Sequence, residues 1–257
     1  MSELLYCRDE NPQVTGQPLV LIHGLFGASE NLLGIARAFT DRPVCLVDLR
    51  NHGRSFHADT MSFTAMAADI IALLDAKGWS SVDVLGHSLG GKVGLQLAQS
   101  YPQRVRRLIV ADIAPVLYQP HHQLILQALD AVDPQQVKSR SEAEQILREY
   151  LDDAGVRGFL LMNLTRAEQG GYQWRCNIDA FKACYDSIRR PPEFVQAFNG
   201  ATLYIRGGVS DYVLAEHEAE IRRYTPVVTI ATLEGCGHWL HAEKPAEFNA
   251  LARDFLN

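Results

Sequence analysis

Short apolar runs recur along this chain, each closing on a turn that carries Gly or Asp: Leu19 to Ile22, Val44 to Val47, Val82 to Leu85, Leu108 to Ala111, Leu203 to Ile205 and Val227 to Leu233. Runs this short and this apolar suit strands buried on both faces. Between the early ones lie stretches with helical spacing: Phe63 to Ala76, where Met66, Ile70, Leu73 and Leu74 share one face, and Lys92 to Gln99. Strand and helix in alternation predict βαβ units, hence an α/β fold with a mostly parallel sheet and helices on both faces. Sheets of that kind carry their sites at the carboxyl ends of the strands. A chain of 257 residues, 47% of them hydrophobic, can build such a core without a metal or a disulfide.

The rhythm breaks between about Pro115 and Asn199, where no comparable strand-like run occurs and helical segments follow one another. The expected organisation is a core of residues 1–114 and 200–257, with residues 115–199 inserted as a helical cap over the sheet's carboxyl edge. Within the insert, Ser141-Glu142-Ala143-Glu144 predicts a capping box opening a helix through Tyr150. Asn177 to Ile188 predicts another, stopped by Pro191 and Pro192, and Gly170-Gly171 marks a turn. There is no internal repeat and no low-complexity tract.

Charge narrows the partners. With 24 basic and 30 acidic residues the net charge is −6, which argues against a nucleic-acid surface. The five cysteines are odd in number, scattered and without a CxxC pair, as expected of reduced thiols. The N-terminal Met1-Ser2-Glu3-Leu4-Leu5 stretch has neither the basic start nor the apolar core of a signal peptide, and no run reaches the length of a membrane span. A cytoplasmic protein is expected, a monomer or small homo-oligomer acting on a small molecule, with no metal or cofactor. In that setting the sequon at Asn163 carries no sugar.

The pentapeptide Gly86-His87-Ser88-Leu89-Gly90 directly follows the buried run ending at Leu85 and directly precedes a helix. A strand-turn-helix setting is what makes a GxSxG match a nucleophile elbow. The turn must be sharp to lift a hydroxyl above the sheet edge, and Gly86 and Gly90 supply the room. The helix N-terminus beside Ser88 brings free amides to the place where a negative oxygen would develop.

A serine hydroxyl needs a base to become a nucleophile. Of the nine histidines, His238 in Gly235-Cys236-Gly237-His238-Trp239 follows the last strand, so it falls on the same rim as Ser88. His121-His122 reads as an exposed pair at a helix start, and His23 and His87 as residues that orient loops. The base in turn needs a carboxylate. Two stand at strand ends: Asp112, one strand after the serine, and Asp211, in the commoner place. The alternative for either is a loop-capping aspartate. The loop His23 to Gly27 follows the first core strand, so the oxyanion donors are expected to be the N–H groups of Leu25 and Leu89. Phe26, Tyr118, Trp174, Tyr212 and Trp239 are candidates to line an acyl pocket, against the commoner role of aromatics in cores. Lys92 is either a solvated side chain or a partner behind the site, and Asp48 to Ser55 is a structural turn bracing the oxyanion loop.

His23-Gly24-Leu25-Phe26-Gly27, Asp48 to Ser55, Gly86 to Lys92, Asp112-Ile113-Ala114-Pro115 and Gly237 to Pro245 together resemble the YbfF-type esterases of the α/β-hydrolase superfamily. Five motifs in order span nearly the whole chain. The resemblance implies hydrolysis of acyl esters or thioesters, acyl-CoA among them, without a cofactor. It also implies that the acid is Asp112, with Asp211 the alternative: related chains usually lack an acidic residue at the latter position, and this one has it.

The leading expectation is therefore a carboxylesterase or thioesterase with Ser88, His238 and Asp112 as its triad. A second reading keeps the triad for carbon–carbon bond hydrolysis or a lyase reaction in which the serine only polarises. A third, from another class, is a ligand-binding protein that has kept the fold without catalysis.

Overall fold

The computed structural model describes residues 3–257; Met1 and Ser2, at the head of the N-terminal stretch considered above, lie outside them. In chain order the elements are β1 (Cys7–Glu10), β2 (Leu19–Ile22), α1 (Leu33–Ala36), β3 (Val44–Val47), α2 (Phe63–Ala76), β4 (Val82–His87), α3 (Leu89–Ser100) and β5 (Val105–Ala111). Then come α4 (Gln123–Ala131), α5 (Arg140–Arg148), α6 (Ala154–Leu161), β6 (Leu164–Arg166), β7 (Tyr172–Trp174) and α7 (Ile178–Arg189). The chain closes with β8 (Ala201–Gly207), α8 (Glu218–Tyr224), β9 (Val228–Leu233), α9 (Leu240–Glu243) and α10 (Pro245–Leu256).

Seven strands form one sheet in the order β1-β3-β2-β4-β5-β8-β9, parallel throughout except for β1 against β3. The period of two divides each central strand between two cores. Val20, Ile22, Val84, Leu108 and Val110 face one with Met66, Ile70 and Leu74 of α2 and Val93 and Leu97 of α3. Leu19, Leu21, Leu46, Leu85 and Ile109 face the other with Ile35 of α1 and Phe248, Ala252 and Leu256 of α10. Helices on both sides leave these strands without a solvent face, so they read as apolar runs, broken in β4 by Asp83, whose buried carboxylate meets Arg42 at 3.3 Å. β1 was invisible in the sequence because Cys-Arg-Asp-Glu is polar and only partly buried, an edge strand held by its ladder to β3.

Between β5 and β8 the chain leaves the sheet for α4 to α7. The expectation of a purely helical insert needs correction: β6 and β7 pair as a short hairpin, Leu164 opposite Trp174 and Arg166 opposite Tyr172. Strands of three residues are too short to display an alternating pattern, but their turn was legible, for Gly170 (φ +92°) and Gly171 (φ +76°) take angles that suit only glycine. The first expected cap also moves. Ser139, not Ser141, caps α5, its Oγ accepting from Glu142 N at 3.1 Å. α7 starts where its asparagine predicted, Asn177 Oδ1 accepting from Ala180 N. Leu126 and Leu129, Leu147, Leu160, and Phe181 and Ile188 bury the insert's apolar faces in continuity with the first core. No described helix is long and apolar enough to cross a membrane.

Helix α3 is buried from Leu89 to Gln99, which decides between the two readings of Lys92. Its side chain is only 2% exposed, and Nζ donates to three carbonyls: Val116 at 3.2 Å, Arg189 at 3.1 Å and Arg190 at 2.7 Å. Val116 lies where the chain enters the insert and Arg189 and Arg190 where it leaves, so one ammonium ties both ends of the excursion to α3. The faces of Tyr118 (4.7 Å to the centroid) and Phe63 (5.8 Å) flank it. Among the described residues no carboxylate pairs with it.

Burial pushes the Lys92 pKa down to about 7, while an unfolded lysine keeps its proton to roughly 10.4. Between those values the unfolded chain binds more protons than the folded one, so stability rises with pH through that window. Wild type is expected to gain stability relative to Lys92→Met on going from about pH 7 to pH 10, checked by urea denaturation of both proteins at each pH. A difference independent of pH would show that the buried lysine keeps its proton throughout.

Candidate active site

The parallel registers bring the carboxyl ends of β2, β4, β5 and β8 to one rim: Ile22 lies beside Gly86, His87 beside Ala111, and Ala111 beside Ile205. Ser88 stands where β4 turns into α3, with φ +54° and ψ −120°, a backbone that a residue with a side chain holds only under constraint. The constraint comes from both sides. Ser88 N donates to Ala111 O at 2.9 Å and Ser88 O accepts from Gly91 N at 2.8 Å. A Cβ on Gly86 would fall 2.1 Å from Gly90 O, and one on Gly90 would fall 2.2 Å from Ile22 O. The glycines let β2, β4 and the start of α3 approach more closely than any side chain permits.

His238 lies on the loop after β9. Its Nδ1 bonds Asp112 Oδ2 at 2.7 Å. Asp112 follows β5, is fully buried, and also accepts from Gly207 N (2.9 Å, to Oδ1) and Ser210 Oγ (2.5 Å, to Oδ2). Asp211 is exposed and makes no hydrogen bond or ion pair with His238, whose Nδ1 is taken by Asp112. The two aspartates were equivalent as strand-end residues; what separates them is that Asp112 turns inward at φ +50°, while the next strand's loop offers Ser210 in that direction instead. Ser210 was missed in the sequence, where a serine in a glycine-rich loop carries no distinguishing signal. Ser88 Oγ has no hydrogen-bond partner among the described residues, and Ser88 and His238 line the same cavity.

The imidazole of His238 lies under the ring of Tyr212, 3.8 Å between centroids and 19° from parallel. Tyr212 is itself fixed through Tyr118, whose hydroxyl donates to Tyr212 O at 2.6 Å and accepts from Ala114 N at 2.7 Å. Three other imidazoles surround this one. Burial, then the neighbouring His241 and His238, holds His87 well below the ordinary histidine range; it bonds His238 O through Nε2 at 2.9 Å. Burial and His238 bring His122 and His241 each down to about 4. The exposed His121-His122 pair expected from sequence is therefore half wrong: His121 is exposed, but His122 is tucked against the Tyr185 hydroxyl, which accepts from His122 N at 2.8 Å.

The loop after β2 passes directly beside the serine, Gly24 being so near that a Cβ there would sit 3.1 Å from Ser88 Cβ. The N–H groups of Leu25 and Leu89 have no hydrogen-bond partner among the described residues. The loop is braced as the sequence suggested. Leu49 N donates to His23 Nε2 at 3.1 Å, which leaves His23 Nδ1–H for Gly24 O at 2.8 Å. The buried Asp48 accepts from Ser29 N and Arg54 N, closing the turn from Asp48 to Ser55. From the insert, Asn163 Nδ2 donates to Phe26 O at 2.7 Å; the sequon asparagine is a buried mooring.

Two cavities meet at Ser88. The larger, about 510 Å³, is walled by Leu25, Phe26, Leu32, Trp239 and Tyr212 from the core and by Ile125, Val156, Phe159 and Leu160 from the insert, and it includes His238. The smaller, about 40 Å³, lies between Leu89, Ile113, Tyr118, Tyr185 and Ile188. Of the aromatic candidates, Phe26, Tyr118, Tyr212 and Trp239 line one or the other, whereas Trp174 lines neither and bonds Val132 O from the hairpin. Among the described residues the one group with metal-binding potential, Cys7, Asp9 and Cys45, lies on β1 and β3, where Lys77 Nζ already holds both oxygens of Asp9 at 2.8 Å.

Comparison with known proteins follows the same lines. The alpha/beta hydrolase fold family matches residues 17–149. The mouse sn-1-specific diacylglycerol lipase ABHD11 is 39% identical over 248 residues, 93% of this chain and 80% of that protein. The Escherichia coli (strain K12) esterase YbfF is 35% identical over 247 residues, 95% of each chain. Among solved structures, a marine microorganism esterase superposes with a TM-score of 0.95 at 36% identity, covering 99% of this chain and 100% of its own.

The close approach at the elbow predicts a contrast between two glycines. Gly90→Ala forces β2 and α3 apart and is expected to cost roughly 3 kcal/mol or more. Gly34→Ala, where nothing lies within 4 Å, is expected to be neutral or to stabilise by up to about 1 kcal/mol. Chemical denaturation of both variants checks this, and equal effects would sink the packing account.

Proposed function

This chain belongs to the α/β-hydrolase family and is a carboxylic ester hydrolase, and from that premise we propose that it works as a serine esterase or thioesterase through an acyl-enzyme on Ser88. The single observation that carries the reading is the His238–Asp112 bond, which sets an oriented imidazole in the same cavity as the serine of the elbow. With Nδ1–H committed to Asp112, Nε2 is the nitrogen free to act as base.

Ser88 Oγ attacks the substrate carbonyl carbon as His238 Nε2 takes its proton. The carbonyl oxygen becomes an oxyanion between the N–H groups of Leu25 and Leu89, each such donor worth roughly 3 kcal/mol in the transition state. The carbonyl carbon then expels the alcohol or thiol, which takes the proton from His238. Water, activated by the same nitrogen, repeats the sequence and frees the acid. Asp112, bonded by Gly207 N and Ser210 Oγ as well, holds His238 in this tautomer and stabilises the imidazolium. Ester and thioester present the same carbonyl to this machinery. Neither metal nor cofactor enters any step. We assign residues 115–199 the part of a cap, because α4 and α6 supply one wall of the large cavity.

Turnover of p-nitrophenyl acetate is expected with a burst of p-nitrophenol, and a fluorophosphonate is expected to label Ser88. Asp112→Asn should lower kcat by about 10⁴-fold through the wrong imidazole tautomer, and Ser88→Ala by on the order of 10⁶-fold. Asp211→Asn should stay within about twofold, as an exposed site. Loss of activity confined to Asp211→Asn would reverse the assignment of the acid. Absence of both turnover and labelling in folded protein would sink the acyl-enzyme.

A further inference from the structure

The two cavities that meet at Ser88 differ more than tenfold in volume, about 510 Å³ against about 40 Å³, and only one of them contains His238. That asymmetry fixes the orientation of an ester in the site. In the acyl-enzyme mechanism, on which this inference rests, the leaving oxygen or sulfur must take its proton from His238, so the leaving group has to lie in the space beside that ring. That space is the large cavity, whose remaining walls are Leu32, Val156, Phe159, Leu160 and Trp239. The acyl chain, on the far side of the carbonyl, then points into the small cavity, between Leu89, Ile113, Tyr185 and Ile188.

We infer that the substrates are esters or thioesters of short acyl groups with large apolar leaving groups. A single water needs roughly 10–15 Å³ of such space, so the small cavity holds about three or four non-hydrogen atoms beyond the carbonyl, an acyl group of up to about four or five carbons. Its floor does not yield easily. Ile188 and Ile113 are buried, and the Tyr185 hydroxyl is bonded by His122 N. Lys92, also on this wall, turns its Nζ to the carbonyls of Val116, Arg189 and Arg190 rather than into the cavity. The large cavity places no such bound on the alcohol or thiol.

The arrangement also fixes which residues select which half of the substrate. Tyr185 and Ile188 border only the small cavity, and Val156, Phe159 and Leu160 only the large one. Acyl length and leaving-group size should therefore respond to substitutions in different helices of the insert, α7 for the first and α6 for the second.

The test is kcat/KM over two series of monomeric, fully dissolved substrates: p-nitrophenyl esters from acetyl to decanoyl, and acetates of alcohols from methanol to naphthylmethanol. The expected result is a fall of about 100-fold or more between butanoyl and octanoyl, the scale on which a filled apolar pocket rejects added methylenes. The acetates are expected to hold or improve with the size of the alcohol. Ile188→Ala should recover at least tenfold on hexanoyl and octanoyl esters relative to the acetyl ester, and the ratio of large-alcohol to small-alcohol acetates should keep its wild-type trend. Should that variant not fold, Ile113→Ala serves the same purpose. A flat acyl series, or a preference for long acyl chains on small alcohols, overturns the orientation while leaving the esterase reading intact. Failure of that reading itself looks different, as no turnover of any ester and no labelled Ser88, and it takes this inference with it.

Discussion

The left-handed backbone at Ser88 is the constraint from which the rest of the structure follows. A non-glycine residue at φ +54° and ψ −120° costs on the order of 1–3 kcal/mol, and it persists only where its surroundings leave no alternative. Here the alternative is removed by burying α3 from Leu89 to Gln99 against the sheet and α2. A helix buried all round must find partners for its polar side chains, and the buried stretch from Leu89 to Gln99 carries three. Lys92 takes the carbonyls of Val116, Arg189 and Arg190; Gln96 Oε1 accepts from Glu193 N; Gln99 Oε1 accepts from Val195 N. All but Val116 belong to the strand of chain that returns from the insert to β8. The helix that enforces the elbow thus also fixes the insert's return, and the two cannot vary independently.

Burial governs the histidines that surround the site. His23, His52, His87, His122 and His241 are all held below their ordinary pKa, burial being the first cause in each case. Neutral imidazoles serve as fixed dipoles: His23 bridges Leu49 N and Gly24 O, and His87 holds the carbonyl of His238. An imidazolium forming on His238 would meet no second full charge from them. It would meet the Asp112 carboxylate and the face of Tyr212. In a low-dielectric site that combination favours a transient charge on one ring only.

The six apolar strands, α2, α7 and the elbow were legible because each rests on a local signal: a buried run, a 3.6-residue stripe, a capping asparagine, a glycine-flanked turn. The rim positions of Ser88 and His238 were legible too, since a parallel sheet leaves little choice about where its loops emerge. Beside the short β6–β7 hairpin, whose strands are too brief to show a pattern, two further features were beyond the sequence. Ser210 bonds Asp112 across 98 positions of the chain, and no spacing rule records that. The polar β1 owes its state to the register with β3 rather than to its own residues. The choice between Asp112 and Asp211 sits between these cases: chain order admitted both, the family resemblance preferred the first, and the positive φ at Asp112 is what turns its carboxylate inward.

The insert does more than close the cavity. Asn163, at the end of α6, donates to Phe26 O, and Asn177, at the cap of α7, donates through its backbone to Asn51 O and through Nδ2 to Asn51 Oδ1. Phe26 holds φ +62° in the loop that carries Leu25 beside Ser88, and its carbonyl is the atom Asn163 grips. The course of that loop is therefore tied to the segment just after α6, the helix whose Val156, Phe159 and Leu160 line the large cavity. One wall of the large cavity and the loop beside Ser88 are in this way joined by a buried hydrogen bond.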